Sequence, residues 1–80
     1  MLIRSIIVRA MWDDEADVWV ATSTDVAGLA VEAPTVEALE PKVVAALSDL
    51  IELNGIESDL REIPVHIMTD QLVRVPNPSA

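Results

Sequence analysis

The run Trp19-Val20-Ala21-Thr22-Ser23-Thr24-Asp25-Val26-Ala27-Gly28-Leu29 leads directly into Val31 to Ala33 and then into Pro34-Thr35-Val36-Glu37-Ala38-Leu39. β-Branched residues at either side of an Asp-x-x-Gly turn read as two short strands, since Gly28 can supply a positive φ and Asp25 can bond the backbone ahead of it. Pro34 ends the second of these strands, Leu29 to Ala33. Thr35 is an N-cap and Glu37 sits in the first turn of a helix, where the exposed N–H groups favour a carboxylate. Strand, turn, strand and helix start thus occupy about 20 consecutive residues, and the order of elements in half the chain follows from them.

Upstream, Ile3 to Trp12 is rich in β-branched residues, and Val18 to Thr22 resumes the pattern after Asp13-Asp14-Glu15-Ala16-Asp17, so the two form a hairpin. A three-residue loop, Glu15 to Asp17 with Asp17 left-handed, sets Trp12 near Val20 and Met11 near Ala21. One face then carries Ile6, Val8, Ala10, Trp12, Val18, Val20 and Thr22. The other carries Ile7, Arg9, Met11, Trp19 and Ala21. A four-residue loop exchanges the two faces of the second strand, because side chains alternate with period two.

The helix runs to Asn54. Its apolar positions Val36, Leu39, Val43, Leu47, Leu50 and Ile51 keep the three-and-four spacing of one buried stripe, and Asn54-Gly55-Ile56 is a C-terminal stop. Pro41 conflicts with this pattern: it removes a bond to the carbonyl of Glu37, so a kink, a split first turn or a start near Pro41 is expected. Ile63 to Thr69 alternates as a fourth strand, with Ile63, Val65 and Ile67 toward the helix. Leu72-Val73-Arg74-Val75 extends that strand or pairs with a neighbouring chain, and Pro76 to Ala80 is a frayed tail. The expected fold is α+β, an antiparallel three- to four-stranded sheet with one helix on one face, in the order β-β-β-α-β. Residues 1–80 make a single domain, with a core over about 3–70 and an extension over 71–80.

A chain of 80 residues buries roughly 60 to 65% of its unfolded surface, and one that is 51% hydrophobic has more apolar surface than such a core absorbs. One helix covers one sheet face; the second face is solvated or covered by another chain. With Ile7, Met11 and Trp19 on it, a covered face is expected, and Leu72, Val73 and Val75 offer a second means of association by strand addition. These six residues are the candidate partner or oligomer interface, and a homodimer or higher homo-oligomer is the expected state.

With 14 acidic and 5 basic residues the net charge is -9, which repels a phosphate backbone and suits a basic protein partner. Direct nucleic-acid binding is therefore not expected. Trp12 and Trp19 are too few for base stacking. No run reaches the 18 or so apolar residues of a membrane span, and Arg4 and Arg9 interrupt the apolar start, so a cytoplasmic location without membrane attachment is the default. With no cysteine there is neither a disulfide framework nor a thiolate metal site.

Residues with chemical potential each have a plainer explanation. Asp13, Asp14, Glu15 and Asp17 lack the spacing and glycine of a calcium loop and suit a solvated hairpin tip. His66, the sole histidine, would need Asp70 or Glu62 to orient it and a nucleophile nearby; Ser5, Ser23, Thr24 and Thr69 carry no activating motif. No catalytic residue, cofactor or metal is expected.

The element order, with Trp19-Val20-Ala21, Asp25-Val26-Ala27-Gly28-Leu29 and Thr35-Val36-Glu37-Ala38-Leu39, resembles the N-terminal domain of HicB-type antitoxins, which have a partial RNase H-like fold. The likeness covers roughly residues 3 to 70. Trp12-Asp13-Asp14-Glu15-Ala16-Asp17-Val18-Trp19-Val20-Ala21 and Ile63-Pro64-Val65 resemble more closely a related group of small standalone bacterial domains of unknown function. Ala27 replaces a common proline, and the residues after Asp70 are too few for the DNA-binding domain that HicB antitoxins usually add. The resemblance implies an acidic, non-enzymatic interaction module that neutralises a small basic RNA-cleaving toxin of the HicA type. The alternatives are a small enzyme or ligand-binding domain using His66 in an oligomer groove, and a purely structural subunit.

Overall fold

In the computed structural model, which describes residues 2–79, β1 (Ile6–Asp13) and β2 (Val18–Thr22) form the hairpin. The loop between them holds four residues, not three: Asp13 pairs with Val18, Trp12 with Trp19, Met11 with Val20 and Ala10 with Ala21. Asp13 makes the longer loop favourable, because its Oδ1 accepts from the N–H groups of Glu15 at 3.0 Å and Ala16 at 3.3 Å. Asp17 then closes it with φ 54°, the left-handed conformation that aspartate tolerates. The extra residue exchanges the two faces of β2 relative to the three-residue reading.

β3 (Ala30–Ala33) pairs antiparallel with β2, and α1 (Val36–Leu53) follows after the two residues of a Pro34-Thr35 corner. Thr35 accepts from the N–H of Ala38 at 3.0 Å, as an N-cap should. α1 is a single helix through Pro41, and ends in a Schellman motif: Gly55 has φ 63°, its N–H reaches the carbonyl of Glu52, and Ile56 N–H reaches that of Ile51 at 3.0 Å. Neither the split first turn nor a start near Pro41 occurs.

β4 (Val65–Asp70) pairs with β1 in parallel, from Ile6 opposite Val65 to Met11 opposite Asp70. The sheet is therefore mixed, in the order β3-β2-β1-β4, rather than purely antiparallel. A helix of 18 residues crosses about 27 Å, so the chain returns to the end of the sheet from which β3 departed and β4 must run the same way. Before β1, Leu2 bridges to Glu57, and Ile3 N–H donates to the Glu57 carbonyl at 2.9 Å.

The core lies between α1 and one sheet face. Leu39, Val43 and Leu47 from the helix pack on Ile6, Val8, Ala10, Ala21 and Ala33 from the sheet, with Val26 and Leu29 turned in from the β2–β3 connection. Every one of these side chains is buried, and no polar side chain is buried among them. Ile63, Val65 and Ile67 pack partly buried against this cluster, on the helix side as their alternation requires. No helix of the described residues is long and apolar enough to cross a membrane.

Candidate functional site

The face of the sheet away from α1 is open, and the strand register orders its side chains into rows. One row reads Asp70, Met11, Val20, Glu32; the next reads Met68, Arg9, Thr22, Ala30; a third sets His66 beside Ile7. Met11 is 55% exposed, Met68 49% and Ile7 42%, so three large apolar side chains stand in solvent on one surface. The Met11 and Val20 row ends in a carboxylate at each sheet edge. Among the described residues the single ion pair is Arg4 with Asp59 at 3.8 Å, which leaves Arg9 without a carboxylate within 4 Å on this face.

Of the six interface residues chosen from the sequence, Ile7 and Met11 lie on this open face. Trp19 does not. The four-residue hairpin loop turns it to the helix side, where it is partly buried against the core with its ring centroid 5.6 Å from that of Trp12, edge to face. Val20 takes the place assigned to Trp19. Val18, Val20 and Met68 are the residues that sequence reasoning missed: the first two were hidden by loop length, whereas the third was available from the alternation that put Ile67 toward the helix.

Leu72, Val73 and Val75 follow β4 in an irregular segment, 79, 71 and 83% exposed, and do not extend the strand within the chain. Leu72 and Val73 line an open groove of about 750 Å³ together with Met11, Trp12, Asp14 and Asp70. Three of the six residues, Met11, Leu72 and Val73, thus meet at one end of the sheet.

The polar groups of the Asp25 turn serve the backbone. Asp25 Oδ2 accepts from Ile7 N–H at 2.8 Å, and Ser23 Oγ donates to the Ile7 carbonyl at 2.7 Å while accepting from Asp25 N–H at 3.1 Å. Two side chains thereby take over the ladder bonds that β2 no longer provides beyond Thr22. Asn54 Nδ2 fastens the same turn to the end of α1 through the Ala27 carbonyl at 3.0 Å. At the hairpin tip, Asp13 holds the loop and Asp14 accepts from Trp12 Nε1 at 2.8 Å. Among the described residues no three His, Asp or Glu side chains are grouped so as to hold a metal ion. His66 stands exposed on the open face, and its side chain makes no hydrogen bond among the described residues.

Comparison with known proteins agrees with this architecture. The profile of a domain of unknown function, DUF1902, matches residues 5–76. A crystal structure of the hypothetical protein TTHA1013 from the extremely thermophilic bacterium Thermus thermophilus is similar, with a TM-score of 0.80 and 39% sequence identity over 90% of this chain and 100% of that one. No curated protein matches.

Proposed function

Given that the chain belongs to the DUF1902 family, a family of unknown function, we propose that it is a non-enzymatic protein-interaction module that self-associates and takes up a small basic protein on its open sheet face. The observation that carries this reading is the row Asp70, Met11, Val20, Glu32, an apolar centre ended by carboxylates. Apolar side chains at the centre of a patch supply affinity once water is excluded, and charges at its rim select the partner and speed encounter. A net charge of -9 favours a basic partner over any acidic one. The likeness to HicB-type antitoxins names the class: a basic RNA-cleaving protein of the HicA type, held inactive by occlusion. Location in the cytoplasm, where such a toxin would act, belongs to the same proposal.

Capture from the native host with the purified chain is expected to recover a small basic protein, and co-expression is expected to rescue cells from the product of the neighbouring gene. Recovery of no basic protein together with failure of rescue overturns the reading.

A further inference from the structure

The two edges of the sheet are unlike. β3 is four residues long, bounded by Gly28-Leu29 and Pro34, and Lys42 Nζ from α1 donates to its Glu32 carbonyl at 2.9 Å. β4 is six residues long, pairs on one side with β1, and has exposed side chains at His66, Met68, Thr69 and Asp70. It carries no lysine and no proline inside its span, and its one charged residue, Asp70, stands at its end, so the edge from Val65 to Thr69 is open to pairing with another chain.

Charge is also divided along the chain. Residues 61–80 contain two acids, Glu62 and Asp70, and two arginines, Arg61 and Arg74, so the whole net charge of -9 resides in residues 1–60. The β4 edge and the segment after it are nearly balanced in their own charge, with Asp70 and, from the hairpin tip, Asp14 as the acids beside Leu72 and Val73. That segment first lines the groove beside Met11 and Trp12, as far as Arg74, and the chain as a whole is elongated. The radius of gyration is 15.4 Å and the long axis 53 Å against 24 and 19 Å, where a compact chain of this length would have a radius of about 12 Å.

An apolar groove of about 490 Å³ lies at the opposite end of β4, between α1 and the start of the strand, lined chiefly by Val44, Leu47, Ile51, Leu60, Ile63 and Val65. The extended segment after Asp70 moves away from the groove of its own chain, since β4 itself spans about 17 Å. An antiparallel β4–β4 pair reverses that relationship, because the segment of each copy then passes the groove of the other.

We propose that two copies join through their β4 edges about a twofold axis at Thr69, and that each lays Val73 and Val75 into the groove beside α1 of the other. The alternation supports it: Val65, Ile67 and Thr69 face the helix side, and Val73 and Val75 fall on that side when the strand is continued. In this register Val73 lies opposite Val65 and Val75 opposite Ile63, while Arg74 lies diagonal to Glu62 of the second copy, an opposite-charge pair, and Asp70 lies diagonal to both His66 and Asp70 of the second copy. The interface is isologous and closes after two copies. It leaves Met11 and Val20 free for a basic partner.

The inference rests on the self-association in the proposed function, and light scattering with variants separates the two. The wild-type chain is expected to be a dimer at tens of micromolar. Val73→Asp with Val75→Asp alters only exposed side chains of the single chain, so an unchanged far-ultraviolet circular dichroism spectrum is expected together with a dimer dissociation constant raised at least about 100-fold. In a chain free of cysteine, Thr69→Cys is expected to give a disulfide-linked dimer under mild oxidation. A dimer that survives the double substitution, but is lost on Met11→Asp, overturns this inference and leaves self-association standing. A monomeric wild-type chain overturns both.

Discussion

Trp12 and Trp19 stand directly opposite one another across the β1–β2 hairpin, with ring centroids 5.6 Å apart and planes inclined by 65°. This cross-strand pair records the four-residue loop, since a loop one residue shorter would separate the two rings onto opposite faces of the sheet. It also clears the open face of tryptophan and leaves Ile7, Met11, Val18, Val20, Met68 and Ala30 as its apolar content.

The pair is expected to be unequal in energy. Trp19 packs against the core, whereas Trp12 is 39% exposed and anchored by its Nε1 to Asp14. Trp19→Ala should cost about 3 kcal/mol and Trp12→Ala about half of that, measured by urea denaturation. Both substitutions should remove the near-ultraviolet signature of the coupled rings. Equal losses would show that Trp19 is not on the core side.

Asp25 should behave as a structural residue. Its carboxylate accepts from Ile7 N–H, and the bond is solvent-exposed, so Asp25→Ala should cost about 1 kcal/mol, speed amide exchange at Ile7 and leave partner binding unchanged. Binding lost without any loss of stability would instead assign Asp25 to the interaction surface.

Gly28 and Gly55 both have positive φ, at 91° and 63°, but their surroundings differ. A Cβ on Gly28 would meet Leu50 Cδ2 at 3.4 Å, whereas one on Gly55 would meet nothing within 4 Å. Gly55→Ala is therefore expected to cost about 1 kcal/mol, the ordinary penalty of a left-handed position, and Gly28→Ala about 2 kcal/mol because φ 91° lies outside the well that other residues can reach, while the Leu50 contact is an ordinary one. Thermal melting of the two variants checks the order.

Most of the fold is legible in local signals. Thr35, Asn54-Gly55-Ile56 and the stripe from Leu39 to Leu47 delimit and orient α1 because capping and periodicity are properties of a few neighbouring residues. The hairpin faces are harder, since they turn on one residue of loop length. Asp13 settles that length through bonds to Glu15 and Ala16, which composition does not reveal. The parallel placement of β4 is a consequence of the α1 crossover and becomes visible only once β1 is seen between β2 and β4. Pro41 leaves α1 unbroken because the tertiary packing of Leu39 and Val43 on the sheet outweighs one missing bond. The candidate interface residues of the sheet divide by the loop: Ile7 and Met11 follow from β1 alone, whereas Trp19 depended on its length.

The most direct test of the open face as a binding surface is calorimetric titration of the wild-type chain and Met11→Arg with the small basic protein that the capture experiment is expected to recover, at low and at physiological salt. A complex with the wild-type chain that weakens as salt rises is predicted, and a loss of at least about 30-fold with Met11→Arg at unchanged stability. Equal binding by the two chains, or no heat with either, would contradict a binding role for this face.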